Sequence, residues 1–560
     1  MKRTYSLIIC LMLAVMAWGS NKASYDVVPL PRSIQATAEK PFVLSSQCFI
    51  AFPENNSLME RNARFLSAYI TKATGIALST QPYADNVKGR KAVMRKTNAV
   101  VLTINPKVEG KEAYRLTVSA KGIAIEGSTP NGVFYGIQTM RKSLPVLNHA
   151  QERTPEATVI EMPAAIISDC PRFGYRGMHL DISRHFFPVD VVKEYIDIMA
   201  LHNMNTFHWH ISDDQGWRIE IKKYPRLAQL GSQRSQTVIG RNMGIYDNTP
   251  YGGYYTQEQA REVVAYAQER YITVIPEIDM PGHMLGALKA YPELGCTGGP
   301  YEVEGTWGVF DDILCAGNDK TFEFVEGVLD EIMQIFPSEI IHIGGDEAPR
   351  TRWKACPKCQ QRIRELSLKG DGQYPAEAKL QGYFTSRVEK YLNDRGRRIL
   401  GWDELLEGDV NPSAMIMSWR GVEGGLQASA QGHDVVMAPT SHCYFDYYQE
   451  DPENWCSTTL FKGFVSLEKA YSLDPAPESL PEEAQKHILG AQANIWTEYI
   501  PYKSLLQYQM LPRAGALSEV QWVMPAQKDY QQFLQRERRM LDIYRLYGYT
   551  FCPAEFKEKK

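Results

Sequence analysis

The sequence has 560 residues, 44% of them hydrophobic and 22% charged, with a formal net charge of −4 at pH 7. A chain of this size and balance is large enough for two or more globular domains with buried cores. Its mild acidity, with no run of Lys and Arg and no basic-aromatic stripe, argues against a nucleic-acid partner and favours a neutral or polar small-molecule ligand.

The chain opens with "MKRTYSLIICLMLAVMAWGSNKA", in which Lys2 and Arg3 precede a short apolar run and then small polar residues. That order predicts a secretory signal over residues 1–23 and export to the periplasm or beyond. Removing it takes away Lys2, Arg3 and Lys22 and no acid, moving the formal charge from −4 to −7. The run is short for a spanning helix, and no later uninterrupted apolar segment reaches about 18 residues, so no integral membrane segment is expected after signal removal. Cys10 follows Ile9 rather than a small residue, which argues against a lipid anchor there.

Residues 24–170 read as a compact α+β domain. "FIAFP", "AVVLTI" and "YRLTVSAKGIAIEG" have strand character, and the apolar spacing of "GVFYGIQTMRKSL" is helical. The irregular, Pro-containing "TVIEMPAAIISDCPRFGYRG" sets a boundary near Cys170.

From 171 to 560 strands alternate with amphipathic helices. Eight candidate strands follow in order: "YRGMHLDIS", "MNTFHWHISD", "YITVIPEIDM", "EIIHIGGDE", "RRILGWDE", "AMIMSWR", "DVVMAP" and "HILGAQANIWTE". Between the first two, Val191, Val192, Tyr195, Ile196 and Met199 recur on one face of a helix. Eight such units predict a closed (β/α)8 barrel, an α/β fold, with a doubly wound sheet as the alternative. "DPAPESLPEEAQKH" reads as a loop entering a helix.

In a barrel the chemistry sits where strands end, and here those ends are rich in polar and aromatic residues. They offer Arg184 and His185; then His208, His210, Asp213 and Asp214; then Glu277, Asp279 and His283. Asp346 and Glu347 follow, then Trp402, Asp403 and Glu404, Trp419 and Arg420, Tyr444 and Asp446, and lastly Trp496 and Glu498. Singly, each has an ordinary reading as a core or surface residue. Together they describe an aromatic-walled, hydrogen-bonding cup suited to a sugar ring, whose C–H faces lie on aromatic planes while its hydroxyls take charged partners.

Two metal readings compete with it. His208 and His210 form an H-x-H resembling the zinc pair of metal-dependent amidohydrolases, but on the second strand and without a matching later ligand set. "CPKC" at Cys356 and Cys359 needs a second ligand pair, and no pair is spaced in sequence to supply it, so a local disulfide or two free thiols is the expectation. Cys296 and Cys315, flanking a Gly-rich loop, are expected to form a disulfide contributing about 3 kcal/mol.

Adjacent acids such as Asp346 and Glu347 do not suit two-carboxylate glycoside hydrolysis, where the groups flank the bond about 5–5.5 Å or about 6.5–9.5 Å apart. A 2-acetamido group on the substrate would remove the conflict by acting as the nucleophile.

"HIGGDE" resembles the H-x-G-G-D-E signature of glycoside hydrolase family 20, the β-N-acetylhexosaminidases. The resemblance extends through "VPLPRSI", "GVFYGIQTMRKSL", "RGMHLDISRHFF", "MNTFHWHISDDQGWRIEI", "PEIDMPGH", "GVFDDILCAGN", "GWDE" and "NIWTE". It implies an exo-acting enzyme without a cofactor, acting on an oligosaccharide or glycoconjugate with a terminal N-acetylhexosamine. Glu347 would be the general acid and base, and Asp346 would hold the acetamide N–H and stabilise an oxazolinium ion. His283 and Asp213 would relay to the acid. Trp402, Trp419, Trp496 and Tyr444 would enclose the sugar, and Arg184, Asp446 and Glu498 would bind its hydroxyls. An ionised Asp346 is expected to raise the pKa of Glu347 by like-charge repulsion. The rival is a sugar-binding protein that has kept the cup and lost turnover.

Overall fold

The computed structural model describes residues 21–147, 158–451 and 460–557. Within them the chain forms two compact units: one runs to Arg172 and takes in Trp522–Tyr549, and the other comprises Phe173–Gln521 and the residues from Thr550 onward. Residues 1–20 of the expected leader lie outside the described residues. Ala23, inside the expected leader, donates its N–H to Glu161 O at 2.9 Å. Among the described residues no helix is long and apolar enough to cross a membrane.

The first unit is a seven-stranded mixed sheet in the order Ser33–Ala36, Ala165–Asp169, Tyr114–Ser119, Gly122–Gly127, Ala99–Ile104, Phe49–Pro53 and Ser79–Tyr83. The expected runs are all strands, and "YRLTVSAKGIAIEG" is an antiparallel hairpin. Helix Ser57–Thr74 starts at Asn56, whose side chain accepts from Met59 N, and stops at Gly75 in the left-handed conformation. Helix Pro130–Ser143 is capped by Thr129 and is buried over most of its length.

Helix Tyr530–Tyr547 also belongs to this unit, so the expected barrel span of 171–560 is interrupted by Trp522–Tyr549. Its buried residues Phe533, Arg536, Glu537, Met540, Leu541, Ile543 and Tyr544 lie on one face. Such a stripe announces a helix that covers something, not which core it covers.

The second unit is the (β/α)8 barrel. Its strands, numbered here β1 to β8, are Tyr175–Asp181, Thr206–His210, Thr273–Glu277, Ile340–His342, Arg398–Trp402, Met415–Ser418, Val435–Met437 and Ile488–Ala493. All eight are parallel, and β8 closes on β1 with Tyr175 opposite Gly490. Each lies within a strand expected from the sequence. They are buried almost throughout, which explains their continuous apolar runs. Helix Val189–Leu201 returns the chain from β1 to β2 and buries Val191, Val192, Tyr195, Ile196 and Met199, the face read from their spacing.

The expected Cys296–Cys315 disulfide is absent among these residues. Both thiols are free and stand in one cluster with Cys356 and Cys359. Spacing in sequence concealed the partnership because Cys296 and Cys359 are 63 residues apart.

Candidate active site

The apolar run of β4 ends in two glycines because the chain must there pass hard against β3's continuation. A Cβ on Gly344 would stand 1.6 Å from Asp279 Oδ1, at a φ of +67°. Gly345, at φ +100°, donates its N–H to the same Asp279 oxygen at 3.2 Å. The turn delivers Asp346 and Glu347 to the barrel mouth, Glu347 itself at φ +45°. A non-glycine residue held there stores strain, a feature that concentrates at functional sites. His283, opposite, has φ +54°.

The two acids receive different surroundings. The Asp346 side chain is 11% exposed and that of Glu347 39%. Burial, then repulsion from Asp279, holds the Asp346 carboxyl well above the ordinary carboxylate range, with Glu347 contributing in the same direction. Asp346 is the member of the pair that loses its water.

His283 stands between them. Its Nε2 lies 3.8 Å from Asp346 Oδ2 and 3.7 Å from Glu347 Oε2, while its Nδ1 lies 3.2 Å from both Asp213 Oδ1 and Asp214 Oδ2. Burial opposes the imidazolium, yet Asp213, followed by Asp214 and Asp279, raises the His283 pKa well above its usual value. Asp213 is held the other way: burial again opposes, and Arg184 and His283 keep its carboxyl far below the usual range. Arg184 Nη2 meets Asp213 Oδ2 at 2.9 Å, and its Nη1 lies 3.8 Å from Glu498 Oε1.

Around these groups close the aromatic walls. Trp402 and Trp496 approach to 5.9 Å between ring centroids, and Trp419 stacks on Tyr444 at 6.2 Å. The indoles are fixed from behind, Trp402 Nε1 donating to Glu277 Oε1 at 3.0 Å and Trp419 Nε1 to Glu404 Oε2 at 2.9 Å. One pocket is lined by all eleven residues to which the family resemblance gave a role: Asp213, His283, Asp346, Glu347, Arg184, Trp402, Trp419, Tyr444, Asp446, Trp496 and Glu498. Asp279 joins them, as do Tyr447 and Phe461, which the sequence did not single out. Tyr447 and Phe461 belong to a two-stranded pairing, Tyr447–Tyr448 with Phe461–Phe464, off the barrel. No strand-end rule reaches residues in a long loop.

Several buried polar atoms of this lining have no protein hydrogen-bond partner: Asp279 Oδ2, Asp346 Oδ1, Asp446 Oδ1, Glu498 Oε2 and His283 Nε2. Four acceptors and a donor, sunk in an aromatic cup, match a small ligand rich in N–H and O–H groups. Burial, then Glu498, raises the Asp446 carboxyl well above its usual range; burial, opposed by Arg184, pushes Glu498 up to about 7.

The H-x-H pair lies deeper. His210 Nδ1 meets Glu277 Oε2 at 2.5 Å and its Nε2 meets Asp213 Oδ2 at 2.8 Å, while His208 Nε2 lies 3.0 Å from Glu277 and its Nδ1 accepts from Gln492 at 3.0 Å. His342 Nδ1 is 2.9 Å from the other Glu277 oxygen. Both histidines of the amidohydrolase-like reading are thus engaged by one fully buried carboxylate within the barrel's filling, below the pocket floor. His185 is bonded to Thr497, and Asp403 to Arg420, outside the pocket lining.

Comparison with known proteins gives a consistent result. The family model described as "Glycosyl hydrolase family 20, catalytic domain" matches residues 173–525, and that for domain 2 of the same family matches 24–170. A curated β-hexosaminidase of Porphyromonas gingivalis is 40% identical over 551 residues, covering 96% of this chain and 66% of the relative. One from Vibrio furnissii is 37% identical, covering 75% of this chain and again 66% of the relative. The chain thus spans just under two thirds of the length of these relatives. Among solved structures, a Vibrio harveyi exo-β-N-acetylglucosaminidase in complex with N-acetylglucosamine superposes with a TM-score of 0.80 at 31% identity, covering 95% of this chain and 79% of that one.

Two measurements probe this geometry. Gly344→Ala should destabilise by about 2–4 kcal/mol, because it adds left-handed strain and a clash with a buried carboxyl, and Gly345→Ala should cost less, since a Cβ there meets only the tip of Leu405; urea titration of both variants ranks them. The ligand-free protein should also lose thermal stability as pH rises from 5 to 8. Asp279 and Glu498 keep their protons up to about 7 and Glu404 up to about 8 when folded, but release them near ordinary values when unfolded. The folded state therefore binds more protons across this window, and stability falls with rising pH. A Tm series at constant ionic strength should show the decline, and Glu498→Gln should flatten it.

Proposed function

The chain belongs to glycosyl hydrolase family 20, and from that membership we propose that it is an exo-acting β-N-acetylhexosaminidase, releasing terminal β-linked GlcNAc or GalNAc by substrate-assisted, retaining hydrolysis through an oxazolinium ion. The observation that carries this reading is the unequal pair at the end of β4: a buried acceptor without a partner on Asp346, next to an exposed carboxyl on Glu347.

An acetamide N–H placed against Asp346 Oδ1 satisfies that acceptor and favours its ionised form, offsetting the burial that opposes ionisation in the free site. The same hydrogen bond turns the acetamide oxygen toward the anomeric carbon, so the nucleophile is held in place before bond breaking begins. As the C–O bond to the leaving group breaks, Glu347 protonates the departing oxygen; the ionised Asp346 stabilises the positive charge that develops on the acetamide. Glu347 then takes a proton from the water that opens the oxazolinium ring.

His283, positively charged and anchored on Asp213 and Asp214, limits the repulsion between the two acids without contacting the sugar in this scheme. The indoles of Trp402, Trp419 and Trp496 and the ring of Tyr444 keep bulk water from the anomeric carbon, so the internal nucleophile outcompetes solvent. Arg184, Asp446 and Glu498 take the ring hydroxyls and define a blind end, which supports exo action. The basic-then-apolar leader supports export, and glycans outside the cytoplasm as the substrate.

Glu347→Gln should lower kcat about 10²- to 10⁴-fold on substrates with poor leaving groups while ligand binding persists; unchanged rates on a natural disaccharide would remove Glu347 from the acid role. A glycoside with a plain hydroxyl at C2 should be turned over far more slowly than its 2-acetamido counterpart, and Asp346→Asn should slow only the latter. Equal rates on the two sugars, read with matched chromogenic leaving groups, would refute substrate assistance.

A further inference from the structure

The four cysteines that the sequence left as a disulfide and a local pair occupy one place. Cys296 Sγ lies 3.8 Å from Cys359 Sγ, and Cys315 Sγ lies 3.8 Å from Cys356 Sγ and 3.6 Å from Cys359 Sγ. All four sulfurs fall within 4.8 Å of one another. Cys315, Cys356 and Cys359 are buried and Cys296 is half-buried.

These distances have a direct geometric meaning. Four thiolates about 2.3 Å from a central zinc, at tetrahedral angles, lie about 3.8 Å from each other along every edge. Two disulfides would instead draw the sulfurs into pairs about 2.05 Å apart and single out one partner for each. Here Cys315 is equally near two partners, and so is Cys359, so no pairing is favoured.

Local structure supports the same conclusion. An isolated antiparallel bridge pairs Gly295 with Leu314, and Cys315 donates its N–H to Leu294 O at 2.8 Å, which ties the stretch carrying Cys296 to the one carrying Cys315. Cys356 is the residue before helix Pro357–Glu365, and Cys359 is in that helix's first turn, so "CPKC" presents both sulfurs from one helix start. The two halves meet closely: a Cβ on Gly317 would stand 2.2 Å from the Lys358 carbonyl carbon and 2.4 Å from Cys359 N.

We propose that Cys296, Cys315, Cys356 and Cys359 form a structural zinc site, binding one ion per chain as four thiolates and releasing their protons as the metal enters. Four protein ligands close the tetrahedron, leaving no position for water or substrate, so the ion braces the fold and takes no part in turnover. What it braces is specific. Cys296 and Cys315 lie on the segment after β3, whose beginning carries Asp279 and His283; Cys356 and Cys359 lie on the segment after β4, nine residues or more beyond Glu347. The same two segments are joined beside the cluster by the Arg352–Asp312 ion pair at 2.7 Å and by Trp353 Nε1 donating to Leu314 O at 2.9 Å. The proposal is independent of which glycoside the enzyme cleaves.

The test is the metal content of the full-length protein, purified without chelator and dialysed against metal-free buffer, together with a mass map of its unreduced peptides. One zinc per chain is expected, with all four cysteines recovered as thiols after denaturation in acid and alkylation. Cobalt(II) exchanged into the site should give thiolate-to-metal charge-transfer absorption in the near ultraviolet. Cys315→Ser should lose both metal and absorption, whereas Cys48→Ser, at a buried thiol of the first unit, should keep them. Wild-type protein that retains no zinc after incubation with it, or that yields Cys296–Cys359 and Cys315–Cys356 disulfides, overturns the proposal whether or not the variants fold.

Discussion

The barrel mouth gathers more buried carboxyls than it has cations to neutralise them, and most of its architecture answers that imbalance. Asp213, Asp214, Asp279, Asp346, Asp446 and Glu498 are buried there, while Arg184 and His283 supply the positive charge. Isolated ionised carboxylates would be prohibitively costly in such a place, so each is either paired or keeps its proton. Asp213 is paired by Arg184, His210 and His283 and stays ionised. Asp279, Asp346, Asp446 and Glu498 are pushed toward the protonated form. The result is an ionised Asp213 that helps orient His283, surrounded by carboxyls held toward their protonated forms.

That arrangement is useful to a hydrolase. A ligand that donates hydrogen bonds to Asp346, Asp446 and Glu498 stabilises their ionised forms, so the site acquires negative charge where the ligand's N–H and O–H groups arrive. In the proposed mechanism part of the binding free energy goes into this ionisation, which leaves the ionised Asp346 in place beside the developing cation. The strain at Glu347 and His283 belongs to the same economy: both are held at positive φ by surrounding structure, fixing their side chains toward a common point.

The eight strands and the eleven pocket residues were legible because a barrel couples the two. A strand buried on both faces announces itself as an apolar run, and the polar residues that terminate it must then stand at the rim. Asp346 and Glu347 come within five residues of the end of such a run, Trp402 is the last residue of one, and Trp419 is the first residue after another. What was illegible depended on the third dimension. Tyr447 and Phe461 reach the pocket from a loop, where no periodicity applies. Helix Tyr530–Tyr547 has an evident apolar stripe but no mark of the core it covers. The unequal burial of Asp346 and Glu347 was hidden because one step along the backbone separates a buried position from an exposed one, and the pair "DE" carries no sign of which is which.

The cysteines show the same limit most sharply. Spacing rules find a metal site when both ligand pairs lie on one short module, and here the second pair comes from a different βα segment of the barrel. A (β/α)8 barrel makes such remote pairing natural, because adjacent strands place their following loops side by side whatever the chain length between them. The segments after β3 and β4 are neighbours for that reason, and they carry His283 on one side and Glu347 on the other. Their register fixes the 3.7 Å separation between His283 Nε2 and Glu347 Oε2. A cross-link between long loops is therefore most effective where these two meet, since a displacement of one past the other would be felt first at that separation.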